Sequence, residues 1–274
     1  ARGVLRGLFG SLESNPADIH ILPREDETLI PHEKSCDRLA LLFKLAKENH
    51  FHTHPDEHQL RSEMKDILEP GFHTAHIPIR DGIVSRITHG HPFPPGWSSE
   101  LFEKVNQVAE WQLTVLFKHS QGDSRTLRLA IGRLLSEFLH NMKHSDGKKL
   151  ILFSAHDTSL VPILCAMDAY DGTWPPFASS VILELFEDSS VKPNESFTAE
   201  TQYVRVRYNW KTLHLPACGG EPFCKLSDFE RLLHPYIPEN YAEECRVAEQ
   251  DRNESASARN DQAEHDKKAG TTNF

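Results

Sequence analysis

No stretch of the 274 residues approaches the ~18 consecutive apolar residues of a membrane-spanning helix. G-x-G-x-x-G and G-K-[ST] strings are absent, which excludes the glycine-rich phosphate loops of dinucleotide and P-loop sites. G-x-S-x-G is absent too, so there is no hydrolase nucleophile elbow. Basic residues are fewer than acidic ones, 30 Lys and Arg against 40 Asp and Glu, and they form no stripe. A nucleic-acid partner is thereby excluded. The net charge of -10 leaves 17 histidines uncounted, so its magnitude falls as the pH drops towards about 6. Neither a signal peptide nor an initiator Met opens the chain. Residues Ala1–Phe9 read as the middle of an amphipathic helix with no N-cap before it, and the chain is expected to be a fragment.

What is present begins with five cysteines, an odd count. Cys218 and Cys224 flank Gly219-Gly220-Glu221-Pro222-Phe223, a turn-prone loop that a disulfide can close. Cys36 and Cys245 stand alone, whereas Cys165 lies in an apolar run and reads as a small core residue. Sequons stand at Asn194 and Asn253, and these glycosylation positions fit an oxidising lumen. The expectation is the secretory pathway, lysosomal or extracellular, with a mitochondrial or cytoplasmic location as the alternative.

Apolar spacing sets the organisation. Helices are expected from the start to near Gly10, from Cys36 to Glu48, from Ser98 or Ser99 through Leu116, and from Arg125 to Met142. Residues 180–186 and 203–208 read as strands, and Ser227-Asp228-Phe229-Glu230 is a capping box opening a last helix. Between residues 50 and 58 lie four histidines with Asp56 and Glu57. Pro55 breaks helix geometry there and no standard zinc spacing appears, so a solvated loop is expected rather than a metal site. From Arg246 onward there is one Val and one Phe, too little apolar surface for the tail to order itself.

The chemistry concentrates at Lys148–Thr158. An apolar run, Leu150-Ile151-Leu152-Phe153, reads as a buried strand that ends in His156-Asp157, and a second apolar run follows as a helix. Ligands in open α/β sheets bind beyond the carboxyl ends of strands, and a helix N-terminus favours an anion. The alternative is an N-cap Asp with a His that happens to precede it. Ser154, His156 and Asp157 do not make a triad, because neighbours along a strand point to opposite faces. What remains is a hydrogen-bonding His and an acid beside an anion site. That pairing points to acid-assisted phosphate ester hydrolysis, provided a nucleophile exists.

Ser154-Ala155-His156-Asp157, Trp174-Pro175-Pro176-Phe177-Ala178-Ser179 and Glu184-Leu185 together resemble the histidine acid phosphatases. Asp81-Gly82-Ile83, His89-Gly90-His91-Pro92, Arg128-Leu129-Ala130-Ile131-Gly132 and the stretch holding Cys218, Cys224, Leu226 and Phe229 extend the likeness over roughly residues 1–246. The resemblance implies an α/β fold, a phosphoglycerate-mutase-like three-layer sandwich with a helical cap, lacking its N-terminal strand segment. It places the core at 1–17 and 123–246, the cap at 18–122 and a disordered polar tail at 247–274. It implies His156 as phosphate contact, Asp157 as proton donor, disulfides Cys36–Cys245 and Cys218–Cys224, no metal and no cofactor. The substrate implied is a small phosphorylated molecule such as a lysophospholipid or sugar phosphate. The family's nucleophile lies in an R-H-G-x-R-x-P motif, and no such string stands in this chain. Arg2 and Arg6 read as solvated side chains of the first helix, not as replacements for a phosphate-binding Arg. The expected function is a phosphomonoesterase working through a phosphohistidine, with this fragment inactive. The alternative is a non-catalytic protein that binds phosphorylated ligands or partners.

Overall fold

The computed structural model describes residues 2–10, 19–65, 67–68, 75–118, 123–144, 147–190 and 198–253. Its elements run α1 (Arg2–Phe9), α2 (Asp37–His50), α3 (Glu57–Lys65), α4 (His76–Thr88), α5 (Ser99–Phe117), α6 (Arg125–Lys143) and α7 (Asp157–Ala166). Then come β1 (Val181–Glu187), β2 (Gln202–Tyr208), β3 (Lys211–Thr212), β4 (Cys224–Lys225), α8 (Leu226–Leu233) and α9 (Tyr241–Glu244). The class is mixed α/β, as expected. No described helix is long and apolar enough to cross a membrane.

Two compact units divide the chain: residues 1–36, 127–169 and 175–241 form one, and 37–126, 170–174 and 242–274 the other. The sequence draws the cap at 18–122 and the core at 1–17 and 123–246.

In the first unit β2 is the hub of an antiparallel sheet, paired with β1, β3 and β4. Register opposes Leu183 to Val206 and Leu185 to Val204, while Glu184 opposes Arg205. Alternation of side chains along a strand therefore gives the sheet one apolar and one charged face. The apolar face packs on α6, α7 and α8 through Leu134, Leu135, Ile163, Met167, Phe229 and Leu233, all nearly inaccessible. Burying such a side chain contributes roughly 1.5–3 kcal/mol. Gly132 is required where α6 meets the chain after α8, because an added Cβ would lie 2.1 Å from the Tyr236 carbonyl oxygen.

Helices α2 to α5 build the second unit. Ser98 caps α5, its Oγ accepting from Leu101 N at 3.2 Å. Val105 and Val108 of α5 meet Leu60, Met64, Ile79 and Ile83 in a second core.

The run Leu150–Phe153 departs from expectation. It is neither strand nor helix, and Leu150 and Leu152 are 67% and 46% exposed. An extended segment becomes a strand only by pairing. None of the four described strands pairs with it. Phe153 is half-buried against the core, edge-on to Phe138 at 5.2 Å.

Candidate functional site

His156 and Asp157 stand where the irregular segment after residue 147 enters α7. His156 is the N-cap, in extended conformation, and its side chain is exposed. Asp157 is the first helical residue and is half-buried. Its Oδ1 accepts from Thr158 N at 2.7 Å. A carboxylate in a first helical turn is favoured by the helix dipole. The helix that follows is anchored in the core by Val161, Ile163, Leu164 and Ala166. Pro162 lacks the N–H that an α-helix would bond to the residue 158 carbonyl, one ladder bond fewer in the second turn.

The residue that sets this turn is Ser159, which composition and motif did not single out. It is fully buried. Its Oγ accepts from His156 N at 3.1 Å and donates to the Leu29 carbonyl oxygen. Ser159 N and Leu160 N in turn donate to the His156 carbonyl at 3.1 and 3.2 Å. A hydroxyl at the third helical position reaching back to the N-cap amide is half of a capping box. That spacing was the signal available in the sequence. Ser159 thereby fixes the backbone of His156 and ties it to the segment around Leu29.

Chemically, the pair offers an exposed imidazole that can donate a hydrogen bond to an anion. Beside it stands a carboxyl group that, when protonated, can deliver a proton to a leaving oxygen. The turn brings these two together and leaves the other sequence candidates elsewhere. Arg128 donates to the Pro235 carbonyl at 3.1 Å. In the second unit His89 Nδ1 lies 2.8 Å from the Ser85 carbonyl oxygen, and His54 packs against the Trp111 ring, 6.2 Å between centroids. Among the described residues no three His, Cys, Asp or Glu side chains gather as a metal site. Arg2 and Arg6 are exposed on α1.

Cys218 and Cys224 are joined by a disulfide, Cys36 and Cys245 are also disulfide-bonded, and Cys165 is free and buried. Disulfides of this kind persist in oxidising compartments. Asn253 is exposed on the last described helical turn, while Asn194 lies outside the described residues.

Residues 84–209, which include His156 and Asp157, match the model of the histidine phosphatase superfamily, branch 2. Prostatic acid phosphatase of Bos taurus is 29% identical over 254 residues, covering 86% of this chain and 62% of that protein. Lysosomal acid phosphatase of Pongo abelii is 33% identical over 177 residues, 62% of this chain and 40% of that protein. A probable acid phosphatase of Dictyostelium discoideum is 26% identical over 291 residues, covering 92% of this chain and 60% of that protein. The chain thus spans between two fifths and two thirds of the length of these relatives.

Proposed function

Since the chain carries a domain of the histidine phosphatase superfamily, branch 2, we propose that its protein hydrolyses phosphate monoesters, with Asp157 as the proton donor and His156 as a contact to the phosphate. The observation that supports this most is the His156-Asp157 turn, locked by Ser159 at the N-terminus of α7. In the proposed reaction a histidine nucleophile attacks phosphorus and the ester oxygen departs as an alcohol, taking the Asp157 proton. Water then cleaves the phosphohistidine and releases phosphate, the carboxylate now accepting a proton. Cys36–Cys245 is proposed as the second disulfide, and a lysosomal or extracellular location fits both bridges.

The nucleophile is not among these 274 residues, because they contain no R-H-G-x-R-x-P string. The chain by itself is therefore proposed to bind phosphate without turning it over. Two measurements test the two halves of the reading. In a form of the protein that carries an R-H-G-x-R-x-P segment, Asp157→Asn is expected to lower kcat on alkyl phosphates by ~10²–10⁴-fold, the usual worth of a general acid. Aryl esters with good leaving groups should lose less, and equal losses on both would overturn the proton-donor role. For the 274-residue chain, p-nitrophenyl phosphate hydrolysis between pH 4 and 7 should stay at background. Robust turnover that disappears in His156→Ala would place a nucleophile within the chain after all.

A further inference from the structure

The charged face of the sheet holds a feature that the phosphatase reading does not use. Phe186 on β1 and Phe223 just before β4 are 37% and 41% exposed, yet they are not scattered. Their ring centroids lie 5.2 Å apart with the planes at 85°, an edge-to-face pair. Tyr203 stands beside them, opposite Phe186 in the β1–β2 register. These three side chains with Glu187, Asp188 and Ser189 line a shallow recess of about 370 Å³.

A disulfide and hydrogen bonds tie down the segments that carry these residues. Phe223 precedes Cys224, whose disulfide to Cys218 closes the loop that carries the ring. Asp188 is held through its backbone N–H to the Thr201 carbonyl at 3.0 Å, and its Oδ1 accepts from Ser190 N at 2.8 Å. That backbone hydrogen bond keeps the Asp188 carboxyl below its ordinary range, so it stays charged in mildly acidic conditions.

The two rings already attract one cation. The Arg205 guanidinium carbon lies 5.1 Å from the Phe186 centroid and 5.5 Å from that of Phe223. Glu184 pairs with this arginine at 2.7 and 3.1 Å, which balances its charge. Glu187 and Asp188 are the charged groups lining the recess itself, and both are acidic.

We infer that this recess binds a quaternary ammonium group, the cationic head of a choline-type molecule. Aromatic faces attract a cation through the ring quadrupole within about 6 Å of the centroid. A quaternary ammonium carries no N–H, so it needs ring faces and diffuse negative charge, not directed acceptors. Three aromatic residues line the recess, two of whose rings already hold a guanidinium, together with two carboxylates of which Asp188 has a backbone partner. A primary ammonium would have to give up its strong hydration for a site with fewer acceptors to replace it. The inference is independent of the phosphatase chemistry at His156 and Asp157.

The test is a titration of the 15N-labelled 274-residue chain at pH 5 with choline, with its neutral isostere 3,3-dimethylbutan-1-ol, and with methylamine. Choline should shift the amides of Glu187, Asp188 and Ser189 with saturation in the millimolar range, roughly that expected of an exposed, shallow site. The isostere and methylamine should bind several-fold more weakly. Phe223→Leu, which keeps apolar area but removes a ring face, should weaken choline about two- to fivefold with an unchanged melting temperature. Asp188→Asn should weaken choline and leave the isostere unaffected. Co-sedimentation with phosphatidylcholine vesicles, lost in Phe223→Leu, would assign the head group to a lipid. Binding of free choline without vesicle binding would assign it to a soluble molecule. Equal affinity for choline and the isostere, or choline shifts untouched by Phe223→Leu, would overturn the site.

Discussion

His76 is the residue whose chemistry the structure most changes. It is fully buried at the start of α4, Gln112 Nε2 lies 3.3 Å from its Nδ1, and its Nε2 has no hydrogen-bond partner among the described residues. Desolvation pushes its pKa down to about 4; Glu57 opposes that shift, while Arg61 and His54 reinforce it. The folded state therefore keeps His76 neutral where the unfolded chain, with an ordinary pKa near 6.5, takes up a proton. The contribution of His76 to stability is complete above about pH 6.5, falls as the pH drops towards 4, and changes no further below that. The loss amounts to about 3 kcal/mol at most, taking 1.36 kcal/mol for each pKa unit. Urea midpoints at pH 7 and pH 4.5 check this: His76→Leu should have a smaller difference between the two than the parent chain. An equal difference would mean that His76 does not carry the acid sensitivity. Periodicity gave no warning of this residue, because a histidine at one position of an amphipathic helix looks alike whether buried or solvated. His156 and Asp157 stand out in the sequence for the opposite reason. A charged pair between two apolar runs interrupts a pattern, and an interruption is what a sequence displays.

Elements with strong periodicity stood closest to their expected bounds. Helix α6 was expected at 125–142 and spans Arg125–Lys143; β1 and β2 fall within a residue or two of theirs. The run at 150–153 failed the same test, since its apolar residues fit a strand but a strand exists only with a partner. Pairing is a tertiary fact that no local window contains. Close approach between elements is equally hidden, and Gly132 makes this measurable. In an open helix, Gly→Ala stabilises by up to ~1 kcal/mol. Gly82 in α4 has nothing within 4 Å of an added Cβ, so Gly82→Ala should raise the melting temperature slightly. At Gly132 the same methyl would meet the Tyr236 carbonyl oxygen at 2.1 Å and Pro238 Cδ at 2.6 Å. Gly132→Ala should therefore destabilise by ~1–3 kcal/mol, the usual penalty of overpacking. Thermal melts of the two variants decide the matter; a Gly132→Ala protein as stable as Gly82→Ala would show that the segment after α8 yields freely.

At the scale of the molecule, charge settles what hydrophobicity leaves open. Composition from Arg246 onward gives no sign of order, yet residues 249–253 form a helical turn and Asp251 is fully buried. The reason is an ion cluster within the second unit. Asp251 Oδ2 accepts from Arg38 Nε at 2.6 Å and from Ala248 N at 3.2 Å, and Oδ1 accepts from Arg125 Nη1 at 2.7 Å. Arg125 is shared with Asp123, its Nη2 reaching that carboxylate at 2.6 Å. One acid thus holds three distant parts of the chain, the start of α2, the start of α6 and the residues after α9. A lone Asp in a polar stretch has no periodicity to betray it, so this anchor could not be read from the sequence. Removing one partner of a buried ion pair leaves the other charges uncompensated and costs roughly 3–5 kcal/mol. Asp251→Ala should lower stability by that order. Asp251→Asn, which keeps the shape and an acceptor oxygen, should lose less. Limited proteolysis supplies the second readout: cleavage after residue 245 should quicken in Asp251→Ala and be unchanged in Glu249→Ala, a neighbour whose side chain is exposed. If both variants melt and are cut like the parent chain, the cluster does not hold the C-terminal turn in place.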